Sequence, residues 1–392
     1  MSCGLCLLTA EAAIFYVHGY VHYAVPLTLR MHLLVWGHAV ACRRKPSRKL
    51  TLMNQPLGDM PWHVSTNSEL YITGRYLSIK GCLRSIIFAK FAVIKIVTHN
   101  PHNMKILITG CNGQLGTEMR NVLEAKMPGK TIYTDVAELD LTDAAAVKSF
   151  VLSNDITHIV NCAAYTAVDK AESDQGLCSR INVDAVKNIA DAAYEQGAKV
   201  IHTSTDYVFD GTGHTPYKES DAVHPVSHYG VTKRQGEATL LALLPDSVIV
   251  RTAWLYSPYG NNFVKTMRRL GRERAELGVV ADQVGTPTAA RDLAEAIYAI
   301  LTAPQWMPGI YHFTDEGAAS WYDFTKAIHR ISGIKGCNVK PITTADYPTP
   351  ATRPAYSILD KSKIKKTFGI TIPHWEESLV KCIETLDEME SK

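Results

Sequence analysis

A chain of 392 residues with 46% hydrophobic and 20% charged side chains has ample apolar material for a core, which excludes a disordered or low-complexity protein. The formal charge of +3 divides unevenly: residues 1–103 hold 11 basic and 3 acidic side chains, leaving 30 and 35 for the remainder, or +8 and −5. The basic surplus belongs to the leading piece alone, so no nucleic-acid partner follows from it.

That leading piece shows no sustained helical or strand period, and its run Arg43-Arg44-Lys45-Pro46-Ser47-Arg48-Lys49 reads as a solvated charge cluster. No positive charge precedes the first apolar run, and Glu11 and several histidines interrupt it, so neither a signal peptide nor a membrane span of ~18 apolar residues is expected. Residues 1–103 are expected not to fold as a domain, being either an upstream reading of the gene ahead of a start at Met104 or a disordered extension. Nine cysteines, at 3, 6, 42, 82, 111, 162, 178, 337 and 382, form an odd, scattered set that reads as reduced cytoplasmic thiols. Cys3 and Cys6 lack the second pair that zinc needs, and no metal site is expected.

From Met104 onward, short apolar runs alternate with amphipathic stretches. Strands are predicted over 105–109 and 131–134 with a helix over 114–125 between them, then a strand over 158–163 and a helix around 182–195. A strand over 199–204, a helix over 228–244 and a strand over 247–252 follow. Val200–Ile201 and Val248–Val250 are apolar without alternation, as strands buried on both faces should be. The fold class is therefore α/β, a doubly wound parallel sheet of Rossmann type. The expected division is a dinucleotide-binding domain over 104–253 and a smaller substrate-binding lobe over 254–392, interleaved with the last sheet elements, where prolines punctuate a looser pattern.

Gly110-Cys111-Asn112-Gly113-Gln114-Leu115-Gly116 follows the first strand and opens the first helix. Gly110 permits the tight turn, Gly113 lets backbone approach a pyrophosphate, and Gly116 permits close helix packing, while free N–H groups at the helix start attract phosphate. Asp135 ends the second strand, where a carboxylate bonds the adenosine ribose hydroxyl. That position favours NAD over NADP, because neither Val136 nor Ala137 offers an arginine to offset a 2′-phosphate. Asp140 and Leu141 either flank the adenine or, for Asp140, begin the turn before Asp143.

Tyr229-Gly230-Val231-Thr232-Lys233 places a phenol and an ammonium one helical turn apart on one face. A phenol with a pKa near ~10 exchanges protons poorly at neutral pH until a cation favours the phenolate. Lys233 is expected to supply that cation and to bind the nicotinamide ribose, while Tyr229 protonates a carbonyl oxygen as hydride reaches its carbon. Thr203-Ser204-Thr205-Asp206-Tyr207 lies at the C-terminal edge of a strand, where ligands bind such sheets, so Thr205 can hydrogen-bond the substrate oxygen.

These residues resemble the extended short-chain dehydrogenase/reductases and, among them, the dTDP-4-dehydrorhamnose reductases. The similarity runs through 161–172, Ser204-Thr205-Asp206-Tyr207-Val208-Phe209-Asp210-Gly211, Tyr229–Lys233, Arg251-Thr252-Ala253-Trp254-Leu255-Tyr256, Gly260-Asn261-Asn262-Phe263-Val264, Asp282–Thr288 and Arg353-Pro354 with Ser357 and Leu359. Related dehydratases carry an Asp-Glu pair after the threonine; here Tyr207 follows Asp206, which argues for plain carbonyl reduction.

The resemblance implies reduction of the 4-keto group of dTDP-4-dehydro-β-L-rhamnose in nucleotide-sugar and cell-surface polysaccharide biosynthesis. It implies that Gly113, Gln114, Leu115, Asp135, Asp140, Leu141, Ala164, Tyr165, Thr166, Thr203, Tyr229 and Lys233 line the cofactor. Thr205, Asp206 and Trp254 would hold a dTDP-sugar. It implies NADPH, with NADH also open, against the preference drawn from Asp135. A homodimer is open, as are two alternatives: a non-catalytic regulatory subunit like the β subunit of methionine adenosyltransferase, and a reductase of another nucleotide-4-ketosugar.

Overall fold

A computed structural model describes residues 104–391 and, ahead of them, only a two-stranded ladder of His63–Val64 and Leu70–Tyr71. The remaining expectations for residues 1–103, including the Cys3/Cys6 pair, lie outside the described residues.

The apolar runs become strands β1 (Ile106–Thr109), β2 (Thr131–Thr134), β3 (His158–Asn161), β4 (Lys199–Thr205) and β5 (Val248–Thr252). The later strand β10 (Gly309–His312) joins them in one sheet of order β10-β5-β4-β3-β1-β2, with every neighbouring pair parallel. Alternation of side chains sends Ile106 and Ile108 to one face and Leu107 to the other. The first face packs on helices α1 (Gln114–Lys126) and α8 (Ala290–Leu301) through Met119, Val122, Leu293 and Ile297. The second packs on α2 (Ala144–Ser153) and α5 (Ala185–Gln196) through Val147, Val151, Val186, Ile189 and Ala193.

Helices on both faces make the sheet doubly wound. Strand order reverses beside β1, since the chain leaves it toward β2 and returns to β3 on its other side. In sheets of this kind such a reversal leaves a crevice at the carboxyl ends of the strands.

Between β3 and β4, two short helices, α3 (Val168–Ala171) and α4 (Gln175–Ser179), lead into a π-helical turn, Arg180–Asp184, that runs directly into α5. The helix α6 (His228–Leu243), capped by the Ser227 hydroxyl on Gly230 N–H, precedes β5.

A second core gathers Val264 and Met267 of α7 (Phe263–Glu273), Leu277 and Val279 of β7 (Glu276–Val280), and Phe324 and Ile328 of α9 (Trp321–Ile331). Leu379, Ile383 and Leu386 of α11 (Trp375–Glu390) complete it. Here β7 pairs in parallel with β12 (Asn338–Ile342). No helix of the described residues is long and apolar enough to cross a membrane.

Candidate active site

The glycine turn stands at the point where strand order reverses. Gly110 takes φ +65°, and a Cβ there would lie 2.8 Å from Ala163 Cα just past the end of β3, so only glycine passes. A Cβ on Gly116 would lie 2.2 Å from the Gly110 carbonyl oxygen, which fixes how closely α1 seats on the turn. Gly113 occupies the N-cap of α1 and no side chain caps it, so the first N–H groups of the helix are free toward the crevice. This cradle fits the pyrophosphate of a dinucleotide.

Other expected cofactor residues divide. Gln114 turns to the segment before α7, where its Oε1 accepts from Asn262 Nδ2 at 3.0 Å and Ser257 Oγ at 3.4 Å. The Leu115 side chain belongs to the core, leaving only its backbone to the turn. Asp135 accepts from Asn112 N–H at 2.9 Å and Val136 N–H at 2.8 Å, tying β2 to the glycine turn. Asp140 accepts from both the N–H and the hydroxyl of Thr142, which holds its carboxyl below the usual range and marks it as the turn residue before α2. Leu141 packs partly on the core beneath α2 and α5.

Ala164, Tyr165 and Thr166 form the loop leaving β3. The backbone of Tyr165 is gripped by Asn182 of the π-helical turn, whose Oδ1 accepts its N–H at 2.9 Å and whose Nδ2 donates to its carbonyl at 3.2 Å. The same Nδ2 donates to Thr232 Oγ1 on α6 at 3.1 Å. Tyr165 and Tyr229 belong to one small apolar cluster with Cys178 and Ala171.

Tyr229, Lys233, Thr203 and Thr205 meet at the ends of α6 and β4. Burial pushes the Tyr229 phenol far above its ordinary pKa, with a Thr205 hydrogen bond opposing and the Asp206 charge reinforcing the shift. Lys233 is 2% exposed; its Nζ donates to the Thr203 carbonyl at 2.7 Å. Burial lowers its pKa to about 8, and Glu237 one turn on opposes the fall.

Behind it lies His202. Thr109 Oγ1 and Ala163 N–H donate to Asn161 Oδ1, so Asn161 Nδ2 faces His202 Nδ1 at 3.0 Å. That pairing assigns the ring proton to Nε2, which faces Lys233 Nζ at 3.4 Å. Burial, then the Lys233 charge, holds this imidazole neutral. The lysine was expected to lower the phenol's pKa directly; in the structure its short contact is the Thr203 carbonyl, and the phenol stays protonated.

On the substrate side, Thr205 Oγ1 donates to Asp206 Oδ1 at 2.9 Å. Burial raises Asp206 to about 6, opposed by hydrogen bonds from Thr205 and Ser357. Tyr207, in the place where dehydratases would carry glutamate, packs edge-on against Tyr229 with ring centroids 5.5 Å apart.

Trp254 takes φ +48°, a region bulky residues rarely adopt, at a cost on the order of 1–3 kcal/mol. Its ring stacks at 3.5 Å on Trp321, whose Nε1 donates to Gln283 Oε1 at 3.2 Å. Asp169 and Arg353, distant in the chain, form a bidentate pair at 3.0 and 2.7 Å. Asn262, Trp321, Asn182 and His202 were not expected at the site; each is joined to its partner through long-range contacts that local sequence does not reveal.

Residues 104–388 match the family model described as the RmlD substrate binding domain. A dTDP-4-dehydrorhamnose reductase of Aggregatibacter actinomycetemcomitans is 44% identical over 284 residues, covering 70% of this chain and 97% of the relative. The crystal structure of a Clostridium acetobutylicum dTDP-4-dehydrorhamnose reductase is 47% identical with a TM-score of 0.70, over 72% of this chain and 100% of that one. The Bacillus anthracis enzyme of that name, in complex with NADP, is 38% identical with a TM-score of 0.69, over 72% and 99%. This chain belongs to the RmlD substrate binding domain family, alongside the dTDP-4-dehydrorhamnose reductases.

Proposed function

We propose that the chain reduces the 4-keto group of dTDP-4-dehydro-β-L-rhamnose to give dTDP-β-L-rhamnose, with NADPH as reductant and NADH as an alternative. The observation that carries this reading is a buried phenol, Tyr229, kept protonated beside the Thr205 hydroxyl at the carboxyl end of β4. Reduction of a carbonyl needs one hydride and one proton. When bound, the dihydronicotinamide supplies the hydride. Tyr229 then holds the proton at its Oη and transfers it to the carbonyl oxygen, which becomes the new hydroxyl. Thr205 orients that oxygen, and Lys233 holds the nicotinamide ribose with its ammonium. The lobe carrying Trp254 is assigned to the sugar nucleotide. The Gln114, Asp135 and Tyr165 segments are assigned to the dinucleotide.

Tyr207 supports reduction over elimination, because removal of water needs a second acid–base group where this chain places an aromatic ring. The test is oxidation of NADPH, followed at 340 nm, on addition of dTDP-4-dehydro-6-deoxy-L-mannose, with other nucleotide-4-ketosugars as a panel. Turnover of another nucleotide's sugar alone would reassign the substrate. Binding of dinucleotide without turnover of any member would favour the regulatory-subunit alternative.

A further inference from the structure

Asp135 has both carboxylate oxygens engaged, one by Asn112 N–H and one by Val136 N–H, so it braces the glycine turn. A second phosphate placed beside it would meet like charge, and neither residue following Asp135 is basic. The cation comes from elsewhere. Arg120, half-buried on α1, lays its guanidinium over the Tyr133 ring at 4.8 Å and donates from Nη2 to Cys111 Sγ at 3.2 Å.

Those two neighbours fix its place. Cys111 precedes Asn112, whose N–H bonds Asp135, and Tyr133 lies two residues before Asp135 on β2. The guanidinium therefore stands between the glycine turn and the end of β2. Its Nε is buried with no hydrogen-bond partner among the described residues, and a thiol is a weak acceptor for Nη2. No carboxylate pairs with it among the described residues, since Glu124, one turn along α1, accepts instead from Tyr133 Oη at 2.9 Å.

We propose that Arg120 receives the 2′-phosphate of NADP(H), offsetting Asp135 and making this chain accept the phosphorylated dinucleotide. A planar guanidinium presents paired donors to a phosphate, and stacking on Tyr133 holds that plane in advance of binding. The inference rests on the reading of this chain as a nicotinamide-dependent reductase.

The test is calorimetric titration of the full chain with NADP⁺, NAD⁺, adenosine 2′,5′-bisphosphate and ADP, at low and high salt. Arg120→Gln should weaken NADP⁺ and the bisphosphate by roughly 10- to 100-fold while leaving NAD⁺ and ADP within about 2-fold, and Arg120→Lys should fall between. Equal weakening of all four ligands, or of none, overturns the assignment. If Arg120→Gln does not fold, as a thermal melt would show, the wild-type chain still decides: it must bind the bisphosphate more tightly than ADP, with the difference shrinking at high salt. A wild-type chain that binds neither dinucleotide overturns the reductase reading itself, whereas binding of both without dependence on Arg120 overturns only the role of this residue.

Discussion

Glu237 and Arg251 form a bidentate ion pair, Nε to Oε1 and Nη2 to Oε2 both at 2.8 Å, with side chains 0% and 2% exposed. The pair pins α6, two turns beyond Tyr229, to the carboxyl end of β5. Arg251 also lies 3.5 Å from His312 Nε2, and burial with the Arg251 charge holds that imidazole down to about 3. Removing one partner strands a buried charge, so Glu237→Gln should cost roughly 3–5 kcal/mol, measured by urea denaturation. Because Glu237 also supports the Lys233 ammonium, the same variant should move the alkaline limb of activity to lower pH.

Lys233 carries a pKa of about 8 in the fold, below its ordinary value, so its ammonium is lost as pH rises through 8. If that ammonium holds the cofactor ribose, dinucleotide affinity is full below pH 8 and falls about tenfold by pH 9. Binding followed from pH 6 to 10 checks this. Lys233→Arg should remove the alkaline limb, because guanidinium stays charged.

Tyr229→Phe deletes only a hydroxyl from a buried ring. The fold and dinucleotide affinity should persist while kcat falls roughly 10²- to 10⁴-fold, the range for losing a general acid. Single-turnover kinetics at saturating substrate would show it; a wild-type rate would remove Tyr229 from the chemistry.

Asp206 is held near 6 by burial, above the ordinary carboxyl. The sign is opposite to that of a salt-bridged aspartate: the fold binds this proton more tightly than the unfolded chain does, so stability falls as pH rises from about 4 to about 6 and stays lower above that. Asp206→Asn should therefore stabilise at pH 7, by at most about 3 kcal/mol, and the gain should vanish as pH falls below about 4. Loss of sugar-nucleotide affinity in this more stable variant would mark Asp206 as a residue kept for binding.

The parallel sheet was legible in the sequence because runs such as Val248–Val250 are buried on both faces, and the glycine spacing with the Tyr229–Lys233 pair located the crevice. What local reasoning missed was carried by partners distant in the chain. Asn262 reaches Gln114, 148 residues away, and Trp321 covers Trp254, only once the chain has folded. Arg120 gives no local sign either, because α1 brings it to Tyr133 from before β2 rather than from the residues after Asp135. Charges hidden inside apolar patterns, such as Arg251 at the end of β5, give no periodic sign of their partner.

The π-helical turn Arg180–Asp184 is wound one residue wider than an α-helix requires. Excising the extra residue would draw the turn back to α-helical pitch and leave the segments on either side in phase, with the whole change confined to the turn. The face of α5 that carries Val186, Ile189 and Ala193 is committed to the core, so that change would fall on Asn182 within the turn. Both its holds would let go together, the backbone of Tyr165 on one side and Thr232 on the other. A single amide is the tie between the loop assigned to the dinucleotide and the helix assigned the proton donor, and a deletion of one residue would pull it.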